Sequence, residues 1–250
     1  MLDYTLTRTQ PTDLVNQSIP FSYLAVEFIA NDGNPHKVQH YTDISKNWLT
    51  ESDQPEWQTS VAGSIVTHQF YLPNQTEFLE VDGRLRYGNV MYSAKQVCGL
   101  LGCSSVGTSA NIAKITGMTY QVGNYDVVRS LFRATGILNN SVDLQFDAPN
   151  DQSPVFAFDH DLGIVGTIKT APIVYNVGYV RDPLVQLLNV PNTTTLLGAY
   201  YLTRYSSIPD MVSSNYASHT NGTYVTLYRS LSSSMIISTL WRVPRISTIV

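Results

Sequence analysis

Three ionisable residues in a row, Asp159, His160 and Asp161, close the apolar run Pro154-Val-Phe-Ala-Phe158 and precede Leu162-Gly163. On extended backbone the alternation of side chains puts both carboxylates on one face, about 7 Å apart, and the imidazole on the other. Such a pair suits an acid–base couple or, with a carbonyl, a calcium ion. The competing role is a strand-end cap, in which Phe158 ends a buried strand and the carboxylates accept backbone N–H bonds from the turn at Gly163. Arg181-Asp182-Pro183 is a second polar corner. There a guanidinium beside a carboxylate either forms a local or cross-strand ion pair that sets the turn or orients a substrate's carboxylate. These five residues form a candidate polar site or domain interface, and no catalytic role can be assigned to any of them from the sequence.

Other chemical signatures are sparse. There is no G-x-S-x-G elbow, H-E-x-x-H helix, Walker loop or dinucleotide fingerprint, which removes the commonest hydrolase, zinc-protease and nucleotide classes. Gly99-Leu-Leu-Gly102 lacks the Lys-Ser/Thr a phosphate loop needs, and no cofactor is expected. Cys98 and Cys103 flank that tetrapeptide. In a secreted chain they predict a local disulfide closing a small loop, with buried free thiols as the alternative. No further soft ligands lie nearby in sequence, so no metal site is expected. His36 and His40 share a strand face as a weak metal pair, and His68 lies within a strand as a hydrogen-bonded sheet histidine.

Composition narrows the class. Charged residues are 14% of the 250, against roughly 25% in an average domain, while hydrophobic residues reach 43% and there are 16 tyrosines. A net charge of −4 and a pI near 5.7, without a basic run, argue against a nucleic-acid partner. No apolar stretch is long enough to span a membrane. Five sequons, at Asn16, Asn74, Asn139, Asn192 and Asn221, are candidate glycosylation sites and point to a secreted, extracellular protein. The stretch Met1–Arg8 lacks a charged region followed by an apolar one, so a leader is expected to have been removed or to lie upstream.

The elements that must position these residues read as strands. Residues 1 to 20 are an extended, polar lead-in. Phe21–Ala30 and His36–Ile44 flank Asn31-Asp-Gly-Asn34 and read as a hairpin. Ser64–Leu72, Phe78–Asp82, Leu85–Tyr92, Ser141–Phe146, the two runs within 154–186 and the aromatic Leu196–Tyr205 follow, separated by turn signals. Cys98–Ser109 reads as a Gly/Ser-rich loop, and between Thr108 and Phe132 a helical reading of Ala110–Ile115 competes with strands. The sum is an all-β chain: a large antiparallel β-sandwich, supersandwich-like, with at most one or two short helices. Residues 1–212 form one domain, and 213–250 a divergent Ser/Thr-rich tail.

Several blocks, in order, carry a resemblance: Pro20-Phe-Ser-Tyr23, His36-Lys-Val-Gln39, Tyr41-Thr-Asp-Ile44 followed by Trp48, Phe156-Ala-Phe-Asp-His-Asp-Leu-Gly163 and Val180-Arg-Asp-Pro183. They resemble the N-terminal region of the fungal secreted glutaminase A family over roughly residues 10 to 212. The resemblance implies a β-sandwich packed on a C-terminal helical domain of the six-hairpin type, in a protein hydrolysing L-glutamine to glutamate and ammonia. The resemblance further implies that the helical domain holds the main catalytic machinery, whereas the tail after Val212 departs from the pattern. The expectation is therefore a module that is non-catalytic alone. The alternative is a stand-alone extracellular β-sandwich that binds a glycan or small molecule through its aromatic surface.

Overall fold

Alternating apolar and polar residues build two facing sheets with helices on their outer faces. The structure is a computed structural model that describes residues 2–7, 14–50, 53–81, 83–95, 117–144, 154–189, 193–220 and 247–249. In chain order the elements are β1 (Leu2–Thr7), α1 (Leu14–Gln17), β2 (Phe21–Phe28), β3 (His36–Ser45), β4 (Glu56–Ala62), β5 (Ile65–Tyr71), β6 (Glu80–Val81), β7 (Arg84–Leu85) and β8 (Asn89–Lys95). Then come β9 (Met118–Asn124), α2 (Tyr125–Thr135), β10 (Ser141–Val142), β11 (Pro154–Val165), β12 (Ile173–Val180), β13 (Val185–Asn189), β14 (Thr193–Leu197), α3 (Ile208–Thr220) and β15 (Ser247–Ile249). Short 3-10 turns occupy Lys46–Trp48 and Tyr200–Thr203.

One sheet runs β1-β2-β12-β8-β5-β4 and the other β10-β9-β11-β3-β15. All described pairings are antiparallel except the short β10–β9 pair. β11 and β12 each sit third in their sheets, so the two strands closest in sequence to Asp159 and Arg181 form the centres of the opposed layers. Between the layers Phe156 stacks flat on Phe70 with centroids 4.1 Å apart, and Val26, Ile44, Val90, Val122 and Ile173 fill the space around them. The all-β expectation holds, although three α-helices, where at most one or two short ones were expected, complete the described fold.

Several local expectations change. β2 and β3 are not a hairpin: β2 pairs with β1 and β12, whereas β3 crosses to the other sheet and pairs with β11 and β15. The connection allows this because Asp32 accepts the Asn34 N–H and the turn is followed by Pro35, so no tight two-residue loop holds the strands together. Residues expected as lead-in contain β1 and α1. The stretch from Leu196 bends into a 3-10 turn rather than continuing as a strand.

α2 lies C-terminal to Ala110–Ile115, the stretch for which a helix was weighed. Asn124 caps it, its side chain accepting the N–H groups of Asp126 and Val127, a contribution of about 1 kcal/mol. Val128 and Phe132, four apart, face Tyr41, Val155 and Ala157 on the outer face of the second sheet. Gly136 ends the helix at φ 74°, donating to the Phe132 carbonyl. A Cβ there would collide with Gln39. On the opposite side α1, the Tyr200–Thr203 turn and α3 pack Val15, Tyr201, Met211 and Tyr216 onto the first sheet. α3 runs through the 212/213 boundary expected from composition, and Tyr216, beyond it, donates to the Ser93 carbonyl. No helix among the described residues is long and apolar enough to cross a membrane.

Candidate functional site

β11 carries the polar cluster, and its pleat decides which side each residue serves. Phe156, Phe158 and His160 point between the sheets, while Val155, Ala157 and Asp159 point outward under α2. The register steps between Asp161 and Gly163: Asp161 lies opposite Gln39 and Gly163 opposite Val38, which leaves Leu162 as the extra residue of a bulge. The strand therefore does not end at Phe158 but continues to Val165. Past the bulge the inward side changes from even to odd numbers, and Val165 joins the inner core while Ile164 is 70% exposed.

On the inner side His160 faces His40 directly across β11 and β3. Both rings reach the hydroxyl of Tyr175 on the opposite sheet, each Nδ1 lying 2.9 Å from it. A phenol has one hydrogen, so at most one imidazole accepts from it and at least one donates its Nδ1–H to the oxygen. Both imidazoles are neutral. Burial holds His40 down to about 4 and His160 to about 3, with the neighbouring His40 adding to the effect on His160. Among the described residues their Nε2 atoms have no hydrogen-bond partner. A third inward imidazole, His68 on β5, lies 2.8 Å from the Thr59 hydroxyl and stacks on Phe158 at 4.5 Å; burial lowers it to about 3.

On the outer side Asp159 is fully buried. Thr119 on β9 donates its hydroxyl to one carboxylate oxygen, and the Thr119 oxygen in turn accepts the Leu138 N–H at 2.9 Å. The second oxygen has no hydrogen-bond partner among the described residues. Burial pushes the carboxyl up to about 6, against the opposing pull of the Thr119 bond. Asp161, half-buried on the same side, accepts the Gly163 N–H at 2.8 Å, the cap geometry weighed from sequence. A second buried carboxylate, Asp43 on β3, accepts the Tyr41 hydroxyl at 2.6 Å and a two-pronged Arg129 guanidinium at 2.8 and 2.9 Å.

The Arg181-Asp182 corner splits. Arg181 lies over the Tyr87 ring, its guanidinium carbon 5.9 Å from the centroid, while Asp182 faces Gly198 and Tyr201 and precedes a cis Pro183. The corner stands at the start of β13, away from the His40–Tyr175–His160 link within the sandwich. His36 is exposed and meets Asp32 at 3.0 Å, so it does not join His40. Among the described residues no three His, Cys, Asp or Glu side chains cluster as metal ligands.

Of the sequons, Asn74 and Asn139 lie on exposed turns, and Asn16 sits half-buried on α1 with Arg204 donating to its side chain. Cys98, Cys103, Asn192, Asn221 and the stretches 98–109 and 110–115 lie outside the described residues. A shallow recess of about 260 Å³ opens between β9, β10 and α2, lined by Gln121, Asn124, Val127, Ser141 and Asp143 among others, with no aromatic face for a sugar to stack on. Sequence reading missed Tyr175 as a partner of His40, 135 positions away, and Arg129 as the partner of Asp43, because neither link leaves a mark in local spacing.

Comparison with known proteins adds a relationship. The family described as "Domain of unknown function (DUF5127)" matches residues 5–223. The chain is 29% identical over 205 residues to Glutaminase A of Aspergillus oryzae, covering 81% of this chain and 27% of that protein. It is 24% identical over 206 residues to a probable glutaminase of Arthroderma benhamiae, covering 76% of this chain and 21% of that protein. The chain thus spans about a quarter of the length of the relatives it matches.

Proposed function

The chain belongs to the DUF5127 domain family, and from that premise we propose that it is the N-terminal β-sandwich module of a secreted glutaminase-like protein. In this reading a C-terminal helical domain hydrolyses L-glutamine, and the sandwich supports that domain without carrying the reaction. The observation that carries the reading is the sealing of the β11 cluster: Asp159 is 0% and His160 3% exposed. A general acid or base must come within hydrogen-bond reach of substrate or water. His160 instead commits its Nδ1 to Tyr175 within the core, and Asp159 commits one oxygen to Thr119 beneath Leu138. The glutaminase names of the relatives, and the quarter of their length that this chain covers, support the same assignment.

The test is direct. Purified chain is incubated with L-glutamine and ammonia is measured, with no turnover expected. Turnover that disappears in Asp161→Ala while folding is retained would overturn the non-catalytic reading.

A further inference from the structure

From Leu184 to Thr203 the chain has no charged residue, yet this stretch contains the most exposed apolar side chains of any described element pair. Among the described residues β13 and β14 pair only with each other, and every residue of both is exposed. The Leu184 N–H donates to the Leu197 carbonyl at 2.8 Å and closes the base. The register sets Val185 opposite Leu197, with Leu187 on the same face, and places Leu188 and Leu196 on the other face. Leu188 is 81% exposed. Tyr200, 55% exposed, carries the apolar surface from the hairpin base to Leu14 of α1, where the two border a groove with Gln17 and Ser18.

An isolated two-stranded hairpin is marginal in water. Uncovered edges normally carry Lys or inward charges that repel other strands, and this one has none. Contiguous exposed apolar surface with charge depleted and an aromatic at its margin is the composition of a protein interface core. Two facts bear on what could cover it. The hairpin lies inside the segment matched by the family, 5–223, so it is part of the shared domain. The relatives add roughly three times the matched length of further polypeptide to that domain.

We propose that the β13–β14 hairpin, with Tyr200 at its base, is the arm through which this module docks on an uncharged, apolar surface of the remaining polypeptide of a glutaminase-like protein. The inference rests on the module reading above and assigns its contact surface. The absence of charge makes the association insensitive to salt.

The test uses the full chain made without glycans and, as probe, the part of Aspergillus oryzae Glutaminase A outside the matched quarter, produced separately. Affinity is measured by calorimetry for the wild-type chain, for Leu188→Asp/Leu196→Asp and for the milder Leu188→Ser. Wild-type binding, at least tenfold weaker in the double variant and intermediate in Leu188→Ser, with melting curves unchanged, is the expected result. Equal binding by all three would overturn the docking arm while leaving the module reading standing. No binding by the wild type would bring down the module reading and the arm with it. A wild-type dimer in light scattering that becomes monomeric in the double variant would make a second copy the occupant and overturn the assignment.

Discussion

His40 and His160 sit directly opposite one another on β3 and β11, and both Nδ1 atoms lie 2.9 Å from the same Tyr175 oxygen. This three-member link is a polar contact that ties the centre of one sheet to the centre of the other. Tyr175→Phe keeps the ring and deletes the hydroxyl, leaving both imidazoles without that partner in a dry interior. The expected loss is about 1–3 kcal/mol in denaturant unfolding, with the native circular dichroism retained. An unchanged midpoint would show that the link contributes nothing to stability.

The same burial fixes the response to acid. His40, His160 and His68 are held down to about 4, 3 and 3, below an unfolded value of 6.5. Below pH 6.5 the unfolded chain takes up protons the native state refuses, so each imidazole removes about 1.4 kcal/mol per pH unit as pH falls toward its folded value. Asp159 has the opposite sign. Raised from 3.8 to about 6, it contributes stability that is fully present below 3.8 and lost as pH rises through 6, and so offsets one imidazole in that window. The net expectation is a loss on the order of 4 kcal/mol between pH 7.5 and 5.0, read from urea midpoints at constant ionic strength. A flat profile would mean the imidazoles are not buried neutral.

Arg129→Met leaves Asp43, 1% exposed at its side chain, with the Tyr41 hydroxyl still donating to it on this face. Breaking such a pair from one side strands a buried charge. Arg129 is a quarter exposed, so the cost is expected at about 2–4 kcal/mol. Asp43→Asn in the Arg129→Met background should recover part of it, and a double-mutant cycle measures how much.

Gly136→Ala places a Cβ on backbone at φ 74° and against the Gln39 amide. Destabilisation of about 1–3 kcal/mol is expected, and Gln39→Ala should relieve the collision while leaving the backbone strain. Thermal unfolding of the two single variants and the double separates these contributions.

Secretion from a eukaryotic host should glycosylate Asn74 and Asn139, which stand on exposed turns. Asn16 should stay largely unmodified, because α1 and Arg204 hold it half-buried. Peptide mass spectrometry after enzymatic glycan removal reads each site. Full occupancy at Asn16 with none at Asn74 would contradict this placement.

Period-two alternation made Asp159 and His160 legible as residues on opposite faces, and the short reach from Asp161 to Gly163 made the cap legible. What escaped was whatever depends on partners distant in sequence. β2 and β3 look like a hairpin because each alternates, yet alternation does not say which strand supplies the neighbour, and β3 found β11. Tyr175 alternates into the core like Ile173 and Val177, and nothing local marks it as the residue that meets two histidines. α2 hid because Val128 and Phe132 are its only fully buried apolar residues, too few to outweigh the β-branched residues around them.

The extra residue at Leu162 also bears on how lineages of this fold can change length. Removing it would restore an unbroken pleat while Gly163, Ile164 and Val165 keep their partners on β3, so Val165 stays inward and Ile164 outward. Elsewhere along β11 a single deletion would drive an aspartate into the core and a phenylalanine out of it. The bulge is therefore the position in the central strand where a one-residue deletion would be least damaging.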